Sequence, residues 1–250
     1  MTNKYMYFVA NWKMYGDLKS LKSLDKVIRF SKSNQNYKHK IIYCPPNTLL
    51  HPFINKVKKS TISIGAQNCH THESYGPFTG SVSSKMIKSI GAKFVIIGHS
   101  ENRSYGDTDT VINKKIKSSI NNGLKVIFCF GETLNQRKKK LTNNVLFNQI
   151  KKGIFSIKKK QNIIFAYEPI WSIGTGAVLK KSDLEMNVRF IKNKLKTKLK
   201  IKNPKVIYGG SVNPKNIKNL KEINNIDGFL IGGASLDSKK FIDIVKKTFI

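Results

Sequence analysis

The chain has 250 residues, 40% of them hydrophobic, enough for a substantial core and within the length of one large α/β barrel. Its 46 basic and 14 acidic residues give a formal net charge of +32. Only Arg29, Arg103, Arg137 and Arg189 are arginine, and so few forked guanidinium groups speak against specific nucleic-acid recognition, leaving salt-sensitive adhesion to polyanions. The apolar run 6–10 is too short for a secretory signal and no run is long enough to span a membrane, while an odd cysteine count (Cys44, Cys69, Cys129) reads as reduced thiols in a cytoplasmic protein.

Short apolar runs alternate with longer amphipathic stretches studded with lysine. The runs 5–11, 40–44, 61–67, 93–97, 125–130, 162–167, 204–208 and 227–231 predict eight strands, because each is brief, apolar and rich in β-branched or aromatic residues. Helices are predicted over 17–33, 47–58, 83–90 and 107–121, in the long stretch leading to 160, and over 182–199, 214–220 and 237–248. Ser182 with Glu185 reads as a capping box, and Asn213 before Pro214 as a cap followed by a first-turn proline. Gly91 and Gly123 stand where helices should end before the next strand. No Pro/Ser-rich linker divides the chain, so residues 1–250 are read as a single domain. Eight strand–helix alternations favour parallel strands with right-handed crossovers, most simply a closed (β/α)8 barrel. The rival, a doubly wound open sheet, lacks a G-x-G-x-x-G after the first strand.

In such a barrel the chemistry belongs at the C-terminal ends of the strands. The first strand ends in Asn11-Trp12-Lys13, the fourth in Gly98-His99-Ser100-Glu101 and the sixth in Glu168-Pro169. The seventh ends in Gly209-Gly210-Ser211 and the eighth in Gly232-Gly233. Residues 164–176 therefore carry a candidate general base, Glu168, to a strand tip followed by a glycine loop suited to a lid or anion cradle. His99, beside a helix N-terminus, is disfavoured as imidazolium and reads as a neutral donor. With the Lys13 ammonium, this trio suits proton abstraction next to a carbonyl, the enediolate being held by donors rather than by a metal. The glycine pairs and Ser211 let backbone N–H groups approach an oxyanion. Cys69, His70, His72 and Glu73 lack a second matched cluster and read as a loop, so no metal is expected.

The motifs N-W-K-M (11–14), Q-N-C (67–69), G-H-S-E (98–101), E-P-x-W-x-I-G-T-G (168–176), Y-G-G-S-V (208–212) and G-G-A-S-L (232–236) together resemble the triosephosphate isomerase family, in order and over essentially the whole chain. The resemblance implies a TIM barrel that interconverts dihydroxyacetone phosphate and D-glyceraldehyde 3-phosphate, in glycolysis and gluconeogenesis, without metal or organic cofactor. It implies that Glu168 shuttles the proton, His99 polarises the carbonyl, and Lys13 with Asn11 holds substrate. Glu101 would sit beside that lysine, and Gly174, Ser211, Gly232 and Gly233 would hold the phosphate. Arg189 and Asp227 would form the family's structural salt bridge, and the loop around Phe78, Thr79 and Gly80 would dock into a second subunit of a homodimer. Ser81 and Asn102 stand where the family has Glu and Arg, a pair that meets across the dimer interface. Ser172 replaces a common Ala, and residues 177–179 replace a Lys-Thr-Ala-like hinge; both departures should alter lid closure and leave the chemical groups intact. Two other readings are a basic polyanion-binding protein on a barrel scaffold and another phosphosugar isomerase.

Overall fold

Each of the eight apolar runs forms a strand, because residues crowded at Cβ fit a pleated surface buried on both faces. The computed structural model describes residues 5–174 and 179–250. The strands are β1 (Met6–Asn11), β2 (His39–Cys44), β3 (Ser63–Ala66), β4 (Phe94–Ile97), β5 (Lys125–Phe130), β6 (Ile163–Tyr167), β7 (Lys205–Tyr208) and β8 (Gly228–Ile231). They pair in parallel in chain order, and β8 closes back on β1. Around them run α1 (Ser23–Ser33), α2 (Leu50–Val57), α3 (Ser84–Ser89), α4 (Ser100–Ser104) and α5 (Asp109–Asn121). The remaining helices are α6 (Leu134–Lys138), α7 (Thr142–Gly153), α8 (Lys181–Thr197), α9 (Ile217–Lys221) and α10 (Ser238–Phe249). No helix among the described residues is long and apolar enough to cross a membrane.

Strand alternation builds two concentric cores. Val9, Ile42, Phe94, Ile96, Ile127, Ile164, Ile207 and Leu230 fill the barrel interior. The intervening residues, such as Phe8, Tyr43, Val95, Phe128, Phe165 and Val206, face outward into the helical layer.

Three local expectations change. α8 begins at Lys181, after an N-cap Lys180 that makes no side-chain cap bond; Ser182 is already inside the helix, and Glu185 instead accepts a hydrogen bond from Asn224. Asn213 does cap, its Oδ1 accepting the amides of Lys215 and Asn216 at 2.9 and 3.2 Å, but the residues after it form a turn and α9 starts only at Ile217. The stretch before 160 splits into α6 and α7, with Lys140 at φ 58° between them.

The expected Arg189–Asp227 bridge is also corrected. Lys192 brings its Nζ to 2.6 Å from Asp227 Oδ2, the oxygen that also accepts the Val206 amide at 2.8 Å. The reason is helical phase. α8 buries Leu184, Val188, Ile191 and Leu195, a stripe that Lys192 flanks, whereas Arg189 lies farther round on the exposed side. Lys192→Met should therefore lower the unfolding free energy by about 3 kcal/mol in urea titrations, because it removes a cation from a nearly buried carboxylate. Arg189→Met should change it by less than about 0.5 kcal/mol.

Candidate active site

The β6 ladder runs one residue past the strand: Glu168 N–H donates to Phe130 O at 2.8 Å, and Gly209 N–H to Tyr167 O at 2.8 Å. That carries the Glu168 side chain over the end of the barrel with only 2% exposure. Two glycines make the room. A Cβ on Gly131 would lie 1.7 Å from Glu168 O, and one on Gly209 would lie 2.7 Å from Glu168 Cγ. Burial pushes the Glu168 carboxyl above the ordinary 4.5, an effect offset in part by His99, the Cys129 thiol, the Ser100 amide and Lys13. Ionised in such a place, a carboxylate is a stronger base than one in water.

His99 Nε2 lies 3.5 Å from Glu168 Oε1. The histidine is the N-cap of α4, and its Nδ1 accepts the Glu101 amide at 3.3 Å, which leaves the ring proton on Nε2, facing the cavity. Glu101 Oε2 also comes within 3.5 Å of Nδ1, but the carboxylate is already paired through Oε1 with Lys13 Nζ at 2.8 Å. Lys13 sits in the left-handed region at φ 53°, a conformation that costs a non-glycine residue about 1–3 kcal/mol. Side chains fix it there. Asn11 Oδ1 accepts the Lys13 amide at 3.1 Å, and Gln67 Nε2 donates to the carbonyls of Lys13 and Cys44, each at 2.8 Å.

Across from this trio a cavity of about 260 Å³ is bounded by Gly174, Ser211, Gly232 and Gly233 together with Asn11, Lys13, His99 and Glu168. Asn216 Nδ2 holds the Ser211 carbonyl at 2.8 Å. A 3-10 turn, Gly233–Leu236, starts at the cavity wall. A Cβ added at Gly233 would meet nothing within 4 Å, so the space above its backbone is open to a ligand. A roomier cavity of about 400 Å³ lies under the loop after β3. There Lys115 Nζ is already bound to Asp107 at 2.7 Å and Asn68 at 3.1 Å, so its charges are spent on one another.

The family model for triosephosphate isomerase matches residues 6–248. The chain belongs to the triosephosphate isomerase family. It is 41% identical over 245 residues to the triosephosphate isomerase of Thermodesulfovibrio yellowstonii, covering 96% of this chain and 98% of that protein. It is 39% identical over 244 residues to that of Zygosaccharomyces bailii, covering 96% and 97%. The crystal structure of triosephosphate isomerase from Bartonella henselae superposes with a TM-score of 0.89 at 33% identity, over 98% of this chain and 99% of that one.

In this member of the triosephosphate isomerase family the segment after Glu168 is anchored by a buried network that sequence reasoning missed. Fully buried Glu132 accepts from Tyr167 OH at 3.2 Å and from Trp171 Nε1 at 3.4 Å, and Asn187 Nδ2 donates to Tyr167 OH at 2.8 Å. The Arg137 guanidinium lies 5.3 Å from the centre of the Trp171 ring. Ser172 Oγ and Tyr208 OH are buried here side by side, both facing Gly210, where no Cβ could fit between them. Of the expected lid and hinge, Thr175, Gly176, Ala177 and Val178 lie outside the described residues, while Leu179 is a core residue at 4% exposure. Gln67 and Arg103 were missed as well. Arg103 bonds Gly98 O at 2.9 Å, Asp109 at 2.8 Å and Cys129 O at 3.3 Å, tying the ends of β4 and β5 together. Glu132 could have been found by the signal that found Glu168, a carboxylate just past a strand end.

A carboxyl whose folded pKa is raised keeps its proton at pH values where the unfolded chain has lost it, so ionising it costs stability. Wild-type protein should therefore lose stability relative to Glu168→Gln as pH rises from about 4.5 through the raised value of Glu168. Urea titrations of both proteins across that range measure the difference.

Proposed function

We propose that, in the isomerase reaction interconverting dihydroxyacetone phosphate and D-glyceraldehyde 3-phosphate, Glu168 is the proton shuttle. The observation that carries this reading is the approach of the buried Glu168 carboxylate to within 3.5 Å of His99 Nε2, on the wall of a cavity that also holds Lys13. Glu168 takes a proton from carbon 1 of dihydroxyacetone phosphate, and the C–H electron pair becomes the carbon–carbon double bond of an enediolate with its charge on O2. His99 donates from Nε2 to O2 and recovers a proton from O1. Glu168 then returns a proton to carbon 2, giving the aldehyde. Lys13, aided by Asn11, offsets the oxyanion charge, and Glu101 positions Lys13. The phosphate is held by Gly174, Ser211, Gly232 and Gly233, in a cavity where Glu168 is the one carboxylate among the described lining residues. Nothing in the cavity favours a different phosphosugar reaction.

We further propose a homodimer, in a cytoplasmic setting. Met14, Tyr15, Tyr75 and Tyr105 are each 60–93% exposed on the loops after β1, β3 and β4, an apolar surface a partner would cover. Phe78 packs on His70 and His72 at 4.4 and 5.0 Å between ring centroids, which stiffens the loop that carries exposed Thr79. With Ser81 and Asn102 in place of a charged pair, apolar contact would have to hold the subunits together. Three buried free thiols support a reducing compartment.

In a coupled assay from glyceraldehyde 3-phosphate, Glu168→Gln should lower kcat by roughly a hundred- to ten-thousand-fold. A folded, inert wild-type protein would overturn the reading. Sedimentation should show two chains per particle for the wild type and one for Phe78→Glu.

A further inference from the structure

The barrel has a second end, and its chemistry is unlike that of an ordinary floor. Strand alternation turns Lys40, two residues before Ile42, and Lys125, two before Ile127, toward the interior, since Ile42 and Ile127 belong to the inner core. Lys40 is half-buried and its Nζ reaches Thr61 O at 2.7 Å. Lys125 Nζ lies 5.9 Å from the centre of the inner Phe94 ring. Lys93, exposed and next to the inward Phe94, lies at the rim of the same end, its amide bonded to Ile64 O at 2.9 Å and its charge acting on Lys40. Burial, then Lys93 and Lys125, depress the Lys40 ammonium below its ordinary value. Among the described residues, none of the three has a carboxylate within 4.0 Å.

Ser63 adds an independent observation. It starts β3 opposite Ile42, between Ile62 and Ile64, which both face the outer core. Gly65, two residues on, is turned inward, because a Cβ there would touch Phe94 and Cys44, both inner residues. Ser63 therefore points inward too, at 2% exposure, and its hydroxyl has no hydrogen-bond partner among the described residues. A buried hydroxyl left unpaired is costly, and so are ammonium groups gathered without counter-charge. One ligand type relieves both: a compact anion with several acceptor oxygens.

We propose that the floor of the barrel, opposite the active site, binds a small multivalent oxyanion of the phosphate class through Lys40, Lys93 and Lys125, with the Ser63 hydroxyl as an added donor. Lys93 and Lys125 are exposed and Lys40 half-buried, so their summed field gathers an anion at the mouth of this end, and the anion ties β2, β3, β4 and β5 together at the end away from catalysis. The site is separate from the phosphate cradle at Gly232 and Gly233, so its occupancy does not compete with substrate.

Calorimetry with pyrophosphate at fixed ionic strength tests this. The active site is first saturated with the equilibrium mixture of triose phosphates. Wild-type protein should still bind one pyrophosphate per chain. Ser63→Ala, which removes one oxygen atom, and Lys40→Met should each weaken that binding by roughly tenfold while leaving kcat and KM unchanged. Exchanging two exposed helix lysines, Lys114→Gln with Lys117→Gln, should weaken it by less than about twofold. No binding to the saturated wild type, undiminished binding to Ser63→Ala, or an equal loss in the Lys114/Lys117 variant would each overturn the proposal.

Discussion

A carboxylate with 2% exposure is expensive to ionise, and the upper end of this barrel is arranged around that cost. Among the described residues no lysine or arginine comes within 4.0 Å of Glu168; its close titratable neighbours are His99 and the Cys129 thiol. The nearest ammonium, Lys13, is held by Glu101 at 2.8 Å. A direct Lys13–Glu168 pair would have depressed the carboxyl and weakened the base. Glu101 prevents that pairing while leaving the ammonium at the cavity. A single exposed carboxylate thus keeps the proposed base strong and the cation available.

Holding charges apart in this way demands a stiff frame, and the frame is backbone. The β6 ladder continues through the Glu168 amide to Phe130 O, and Gly131 and Gly209 let two neighbouring strand ends close against the same residue. Lys13 stays at φ 53° because Gln67 takes its carbonyl and Asn11 its amide. Arg103 does similar work between β4 and β5. Glu132 anchors Trp171, so the segment beyond Glu168 starts from a fixed point. Each of these contacts carries strain or desolvation that the surrounding core offsets.

The strands were legible because parallel strands buried on both faces must be short continuous apolar runs, and every one of the eight runs became a strand. Most of the candidate site residues were legible because they lie at or just past a strand end, Gly174 being the one carried further out along the loop after β6. What failed depended on phase and on partners distant in sequence. Ser182 and Glu185 have the spacing of a capping box, but α8 starts two residues too early for Ser182 to cap it. Arg189 and Lys192 differ by three residues, and only the burial stripe of α8 decides which one faces Asp227. Gln67 and Glu132 lie just past the ends of β3 and β5, where position marks them, but they and Arg103 act on carbonyls and rings that become neighbours only when the barrel closes, so no local pattern shows what they hold. The Lys40 floor was hidden in the same way, as three lysines among many until strand alternation turned two of them inward.

The central claim is that the proton leaving carbon 1 rests on the Glu168 carboxyl before it returns to carbon 2. A carboxyl proton exchanges with solvent, whereas a hydride passed directly between the two carbons does not. Conversion of dihydroxyacetone phosphate in deuterium oxide, with the product trapped and its carbon 2 read by NMR, separates the two. Deuterium at carbon 2 is the expected result. Product carrying only protium there would contradict Glu168 as the shuttle.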